Sequence, residues 1–298
     1  MRTFISLTKR NVKIFFKDKG MLFTSLITPI ILLVLYSTFL AKIYRDSFQS
    51  SLPSGIEISE KLVSAIVSGQ LVSSLLAVSC VTVAFCSNTL MAEDRVKKTV
   101  DDLLVSPLKK TTLALSYFAS TLLATLIVTY LALGVCFIYV AATGWFLSVG
   151  DVFLLILDVF LLTMFGSAFS SVINFFLKTQ GQVSGVGTVI SAGYGFLCGA
   201  YMPLASFSNG LRNAMMFLPG TYGTSLLRNH ALNGALLELR KTVPAEAVEG
   251  IKKSMDCSLE FFSNFVPLWA MYLVLILSIV VFMGIYLLLS FLRKRKDA

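Results

Sequence analysis

The sequence predicts an all-α integral membrane protein with six transmembrane helices, and two observations support this prediction. First, apolar residues make up 56% of the 298 residues, charged residues make up only 14%, and the mean hydropathy is +0.81. Ordinary soluble domains do not have this composition. Second, the apolar residues are gathered in six runs, each about 20 residues or longer, which is enough for a helix to cross a bilayer. We therefore expect a single membrane domain over residues 1–298.

The predicted elements follow one another along the chain. Residues 1–20 carry six Lys and Arg residues interleaved with apolar ones. This pattern is typical of an amphipathic helix on an anionic membrane surface, or of a basic flank that only orients the first span. The predicted spans cover residues 21–40, 62–91, 113–142, 152–177, 181–201 and 265–292. Residues 41–61 are predicted to form a loop, and residues 202–264 an outer cap that is partly helical.

Residues 92–110 are the only dense block of mixed charge between two apolar runs. Nine of these nineteen residues are ionisable, and burying even one of them unpaired in hydrocarbon costs several kcal/mol. The block must therefore lie in water at a membrane surface. Val96, Val100, Leu103 and Leu104 fall on one stripe at helical period, and Ser106-Pro107 ends the pattern. A short amphipathic helix at the interface is predicted.

The distribution of basic residues predicts the orientation in the membrane. Sixteen Lys and Arg residues fall on the side that carries the N-terminus, and nine fall on the other side. Basic residues accumulate on the cytoplasmic side of membrane proteins. We therefore expect the protein in the cytoplasmic membrane, with both termini and residues 92–110 in the cytoplasm. Cys257, the only cysteine outside the apolar runs, is expected to lie outside the cell, where a membrane-impermeant maleimide would label it.

The same sequence argues against several other functions. The net charge is +9, but the basic residues are scattered at the ends of apolar runs, which argues against nucleic-acid binding. No phosphate-binding G-x-x-x-x-G-K-[ST] motif occurs, so ATP hydrolysis is not expected on this chain. Neither a metal site nor a catalytic constellation is expected, because the only histidine, His230, lies in the predicted outer segment. An ion-coupled carrier is disfavoured because Asp158 is the single carboxylate within a predicted span.

Two spans carry ridges of small residues that recur at intervals of four. Such ridges let helices approach closely, either within one subunit or around a pore. They comprise Ala65, Gly69, Ser73 and Ala77 in the second span and Gly187, Ser191, Gly195 and Gly199 in the fifth. Asp158, about two turns from the outer end of the fourth span, is a candidate polar site for transport, or a group that accepts a hydrogen bond from a neighbouring helix.

This organisation resembles the permease subunit of ABC-2 type exporters, whose fold is shared with ABCG-like (type V) transporters. The cytoplasmic loop of that family matches, in order, Asp94-Arg95, Thr99, Leu103-Leu104 and Ser106-Pro107, although the family's frequent glycine is Lys98 here. Beyond the fifth span, Gly199, Pro203 and residues 218–222 (LPGTY) resemble the small re-entrant outer helices of such permeases.

The resemblance implies a function and a set of partners. Residues 92–110 would form a coupling helix that docks on a separate cytoplasmic ATPase, present in two copies and carrying ATP and Mg. A second, identical or paralogous permease would complete the path, within membrane lipid. The implied coupling residues are Glu93, Asp94, Arg95, Thr99, Asp101, Asp102, Ser106 and Pro107, and the candidates for the path are Ser68, Gln70, Ser73, Tyr194, Gly195 and Phe196.

The resemblance leaves the substrate open between two classes. The absence of an extra soluble domain and the apolar path favour a hydrophobic or amphipathic small molecule, such as a drug, pigment, peptide or lipid-like compound. A lipid-linked polysaccharide or teichoic-acid-type glycan is the alternative.

Overall fold

The computed structural model describes residues 2–35, 38, 41–50, 58–105 and 108–292 and has an all-α architecture, as predicted. The helices are α1 (Arg2–Lys17), α2 (Lys19–Leu35), α3 (Ala41–Ser50), α4 (Glu60–Val96), α5 (Thr99–Val105), α6 (Lys110–Thr143), α7 (Val149–Phe176), α8 (Gln180–Leu197), α9 (Asn209–Met215), α10 (Pro219–Leu239), α11 (Ala245–Ser254) and α12 (Leu268–Leu292). A 3₁₀ turn (Leu204–Ser206) follows α8, and a two-stranded hairpin of β1 (Leu259–Phe261) and β2 (Asn264–Val266) precedes α12, with Leu259 opposite Val266.

The 37-residue helix α4 is the centre of the bundle. It packs against α2, α6, α7, α8 and α10, because its small and apolar residues surround the whole helix. At Gly69, an added Cβ would lie 2.9 Å from the backbone oxygen of Ala231 in α10. At this position, the small-residue ridge of the second predicted span therefore serves packing within the subunit.

Within the part of the chain that the structure describes, four helices are long and apolar enough to cross a membrane, namely α4, α6, α7 and α12. A fifth span results if α1 and α2, which meet at 73°, are counted as one broken span. The fifth predicted span corresponds to α8, which is not among the four because five of its 18 residues are glycine and several others carry amides or hydroxyls. The count of six spans therefore stays a prediction.

Two predicted loops differ from the structure. Residues 41–50, predicted as loop, form α3, whose Phe48 is 2% exposed and packs against Leu62 and Ile66 of α4. The segment 202–264 is more than a cap, because its longest helix, α10, is buried between α4, α7 and α12. Small residues on α10 allow this close approach; an added Cβ at Gly223 would lie 2.6 Å from Leu162 of α7.

A buried ion pair holds the segment 202–264 on the bundle. Arg228 of α10 is 1% exposed, and its Nη1 lies 2.7 Å from Oδ2 of Asp256. Its Nη2 donates to the backbone oxygen of Gly199, at 2.6 Å, and to Ser74 Oγ, at 3.3 Å. The same Asp256 oxygen accepts from the backbone N–H of Leu204, at 2.7 Å. The guanidinium thus joins the end of α8, α4 and the loop after α11 at one point.

Cys257, which follows Asp256 in the sequence, is less exposed than predicted. Cys257 was expected to be accessible outside the cell, but it is only 4% exposed. It packs in a cluster with Leu239 of α10 and with Val248 and Ile251 of α11. Position in a polar segment does not imply exposure here, since α11 covers the thiol.

Residues 92–110, for which a single short helix was predicted, are divided between two helices. Helix α4 continues to Val96, and α5 begins at Thr99. Between them, Lys98 has a φ of 61°, a left-handed conformation that glycine adopts without steric cost. The position is the one at which the resembling family frequently has glycine. The predicted apolar stripe is therefore divided between two helices: Val96 is 37% exposed, whereas Val100 is 4% exposed.

Candidate coupling and transport sites

Asp94, near the end of α4, is the centre of a polar cluster that joins three helices. The residue is 6% exposed. Its Oδ2 lies 2.9 Å from Nη1 of Arg10 in α1 and accepts a 2.7 Å hydrogen bond from the hydroxyl of Tyr117 in α6. The carboxylate is thus used inside the subunit. The coupling role that the resemblance implied for Asp94 stays a prediction, and within the subunit its carboxylate joins α4 to α1 and α6.

The next residue, Arg95, joins the same end of α4 to α7. Its guanidinium lies 4.8 Å from the ring centroid of Phe175 and donates to the backbone oxygens of Asn174 and Phe175. These carbonyls belong to the last turn of α7, where a cation satisfies acceptors that have no partner within the helix. Asp94 and Arg95 together fix the end of α4 to α1, α6 and α7.

Helix α5 is anchored by one face and presents two carboxylates on another. Val100 is buried in a cluster with Met91 of α4 and Leu113 of α6. Asp101 and Asp102 are exposed in the first turn of α5, where the helix dipole favours negative charge.

The other predicted coupling residues differ in their surroundings. Glu93 is half-buried and lies 3.1 Å from Lys97 Nζ, and Thr99 is half-buried. Ser106 and Pro107 lie outside the described residues.

A groove of about 830 Å³ lies between α2, α4 and α8. It is lined by apolar side chains and by a set of hydroxyls, with carboxylates at one end. The apolar residues include Ile27, Ile31, Leu32, Leu35 and Phe85; the hydroxyl residues are Thr24, Thr28, Thr89, Ser184, Thr188, Ser191 and Tyr201; the carboxylates are Asp18 and Glu93. Helix α8 packs mainly against α4, so the groove is open along the surface of the subunit.

The six residues predicted to line a path do not line this groove. Ser68, Gln70 and Ser73 are 1%, 0% and 0% exposed, on faces of α4 that point into the bundle. Tyr194 packs against Gly220 of α10, an added Cβ at Gly195 would collide with the ring of Tyr201, and Phe196 is 52% exposed. The predicted helices α4 and α8 do line the groove, but through other residues. Gly187 and Ser191 of the predicted small-residue ridge line it, together with Ser184 and Thr188, whose helical spacing with Ser191 is a sequence signal that was not singled out.

Asp158 is part of a buried polar cluster. The residue is 1% exposed in α7; its Oδ2 lies 2.5 Å from Nδ1 of His230 in α10, and its Oδ1 accepts a 2.7 Å hydrogen bond from the hydroxyl of Tyr272 in α12. His230 is 8% exposed, although the sequence placed it in an outer segment. Two interpretations were left open for Asp158. The structure shows the second of them, a hydrogen bond accepted from a neighbouring helix, and a transport role stays a prediction.

The comparison with known families agrees with this architecture. A sequence model of the ABC-2 type transporter family matches residues 2–231, from α1 into α10. The match includes the Asp94 cluster, α5 and the groove. Since it covers well over half of the chain, the protein belongs to the ABC-2 type transporter family and is a permease of an ABC transporter. No curated protein matches the chain.

Proposed function

We propose that the chain is one permease of an ATP-driven exporter that moves hydrophobic or amphipathic small molecules out across the cytoplasmic membrane. The observation that carries the proposal is the groove between α2, α4 and α8. Its volume of about 830 Å³ lies within the range of sites for organic ligands, about 300–1,000 Å³. Apolar walls with a row of hydroxyls suit a molecule that is apolar over most of its surface and has a few polar groups.

A second permease would close the open side of this groove. The surface of α8 that faces away from α4 includes Gly181, Gly185 and Gly193, where an added Cβ would have no neighbour within 4 Å. Small residues on a membrane helix favour close packing of another helix. A disulfide test follows. Cysteine at Val189, which is 69% exposed on α8, should cross-link two permeases, whereas cysteine at Val280, 62% exposed on α12, should not.

Coupling to ATP would act through α5 and the Asp94 cluster. A separate ATPase, in two copies and with ATP and Mg, would dock on α5 through Asp101 and Asp102. Movement of α5 would reach α1, α6 and α7, because Asp94 and Arg95 hold these helices to the end of α4 that adjoins α5. A rigid connection of this kind is needed to convert closure of the ATPases into a change at the groove.

The proposed topology has six spans, with α2 and α8 added to the four apolar helices and with both termini in the cytoplasm. The excess of basic residues on the side of residues 92–110 supports this orientation. Helix α2, 17 residues long, extends about 25 Å, which nearly crosses the hydrocarbon core.

Transport into inside-out vesicles tests the function. Vesicles that contain the permease and its ATPase should accumulate a fluorescent amphipathic dye only when ATP and Mg are added. Thr188→Trp, which fills the groove, should abolish uptake, whereas Leu277→Trp, at a 54% exposed position on α12, should leave uptake intact. Equal uptake by both variants would remove the groove from the transport path.

A further inference from the structure

The surface of α1 carries a row of cations that the proposed transport cycle does not use. Lys9, Lys13 and Lys17 are exposed and follow one another at intervals of four residues, and Arg2 is exposed on the same side. Successive members of the lysine row are about 6 Å apart along the helix axis. Among the described residues, no carboxylate forms an ion pair with any of these four cations.

The opposite side of α1 fixes the direction in which the row points. Thr8, Asn11 and Phe15 are buried against the bundle, and α1 packs on α6. At 100° per residue, the buried side and the lysine row are about 160° apart around the helix. Arg10, the remaining basic residue within this stretch, is used by Asp94. The lysine row therefore points away from the protein.

The bend between α1 and α2 places this row at the surface of the membrane. The two helix axes meet at 73°, so that α1 runs nearly along the membrane plane when α2 runs along its normal. Ile5, which is 55% exposed, lies between the buried side and the lysine row and can dip into the hydrocarbon. Such an arrangement is typical of a helix that lies in the interface, with its cations at the level of the headgroups.

We infer that Lys9, Lys13 and Lys17 bind the headgroups of anionic phospholipids. The charge is complementary, and the headgroup layer is what the row faces. Lipid bound there would hold α1, and through Arg10 also the Asp94 cluster, at a fixed depth. Exposed ion pairs of this kind weaken as salt is added. The inference requires that α2 crosses the membrane but does not depend on the direction of transport or on the substrate.

Lipid binding to the purified permease tests this inference. The protein in detergent is titrated with phosphatidylglycerol or with phosphatidylcholine of the same chains, and bound lipid is counted by native mass spectrometry. We expect a clear preference for phosphatidylglycerol, reduced by NaCl. Lys9→Gln/Lys13→Gln/Lys17→Gln should weaken phosphatidylglycerol binding roughly ten- to a hundredfold, since each cation near an anionic surface contributes about fivefold. Phosphatidylcholine binding should not change.

Two variants separate charge from other effects. The triple Lys→Arg variant at the same positions keeps the charge and should keep the preference. Lys241→Gln/Lys252→Gln/Lys253→Gln removes three charges from lysines that form ion pairs elsewhere, and it should also keep the preference. Since all six lysines lie at the surface, gel filtration should show the parent's elution for every variant.

Two results would overturn the inference. The first is equal binding of the two lipids by the parent. The second is an undiminished preference in the α1 Gln variant. If that variant also no longer copurifies with its ATPase, the row is a protein contact.

Discussion

Asp158 Oδ2 in α7 lies 2.5 Å from His230 Nδ1 in α10, and Tyr272 of α12 donates to the other oxygen of the same carboxylate. This contact joins the buried helix α10 to two helices that are long enough to span the membrane. Asp158 is the shared partner of the other two side chains, so its loss removes the polar contact of both His230 and Tyr272.

We predict that Asp158→Leu destabilises the protein by about 3–5 kcal/mol, because it leaves buried polar groups without a partner. The triple variant Asp158→Leu/His230→Leu/Tyr272→Phe should recover much of that loss, as replacement of a whole buried polar cluster by apolar groups often does. Thermal unfolding followed by fluorescence-detected gel filtration measures both effects. If the triple variant is stable and yet fails to export, the cluster has a role in transport and not only in packing.

Helix content could be predicted from the sequence, but the surroundings of individual side chains could not. The apolar runs predicted α4, α6, α7 and α12 to within a few residues, because length and composition are local properties. The burial of His230 depends on where α10 lies relative to α7, and no local pattern contains that information. The same applies to α8: its small-residue ridge was found and two of its members, Gly187 and Ser191, line the groove, but the hydroxyls of Ser184 and Thr188 beside them were not singled out.

Residues 92–110 show a second limit of prediction from the sequence. Its charges correctly indicated a break between two apolar helices, but the sequence suggested one continuous stripe. The turn at Lys98, with a φ of 61°, is invisible to helical periodicity, and the side chain that occupies it gives no hint, since lysine rarely adopts this conformation. Asp94 shows the same limit, because the sequence shows its charge but not that Arg10 and Tyr117 lie beside it.

Substitutions in the Asp94 cluster should impair the coupling of ATP hydrolysis to transport more than the binding of the ATPase. Asp94→Ala leaves Arg10 and Tyr117 without their shared acceptor in a largely buried position, which should cost about 3 kcal/mol. Tyr117→Phe removes one hydrogen bond and should cost about 1 kcal/mol. We expect the ATPase still to copurify with Asp94→Ala, while transport per ATP hydrolysed falls. Loss of copurification in this variant would instead place Asp94 in the docking surface.

The carboxylates of α5 should affect partner binding. Asp101→Lys/Asp102→Lys reverses the charge on an exposed surface and should weaken association with the ATPase roughly a hundredfold, through repulsion at a partly desolvated interface. Membrane insertion should be normal. The matched control Glu246→Lys/Glu249→Lys changes two exposed acids of α11 and should leave ATPase copurification unchanged. Parent-like copurification of the α5 variant would show that these carboxylates make no required contact.

Cys257 should react only when the segment 202–264 unfolds. Burial raises the pKa of its thiol to about 12 from an ordinary value of 9.0, so the reactive thiolate is scarce in the folded protein at pH 7–9. The unfolded chain loses this proton at lower pH than the folded one, and the contribution of Cys257 to stability therefore falls as the pH rises from about 9 to about 12. Maleimide labelling of Cys257, followed by peptide mass spectrometry, should be negligible at pH 8 and complete in denaturant.

The side of the membrane on which this segment lies can be tested with one further variant. Lys241→Cys creates a thiol at an exposed position at the end of α10, and a membrane-impermeant maleimide should label it in intact cells if this segment lies outside. Rapid labelling of Cys257 in the native parent would mean that α11 does not cover it.

Substitutions at two glycines of α8 should separate an effect on packing from an effect on transport. At Gly187 an added side chain meets nothing within 4 Å and enters the groove, whereas at Gly195 an added Cβ collides with the ring of Tyr201. Gly187→Leu should therefore fold and insert like the parent but lose dye export, because leucine occupies the space proposed for substrate. Gly195→Leu should lower thermal stability, since overpacking costs about 1–3 kcal/mol. Export and unfolding temperature measured on both variants decide the matter: full export by Gly187→Leu would mean that molecules do not pass through the groove, and an unchanged unfolding temperature for Gly195→Leu would mean that Tyr201 moves aside without cost.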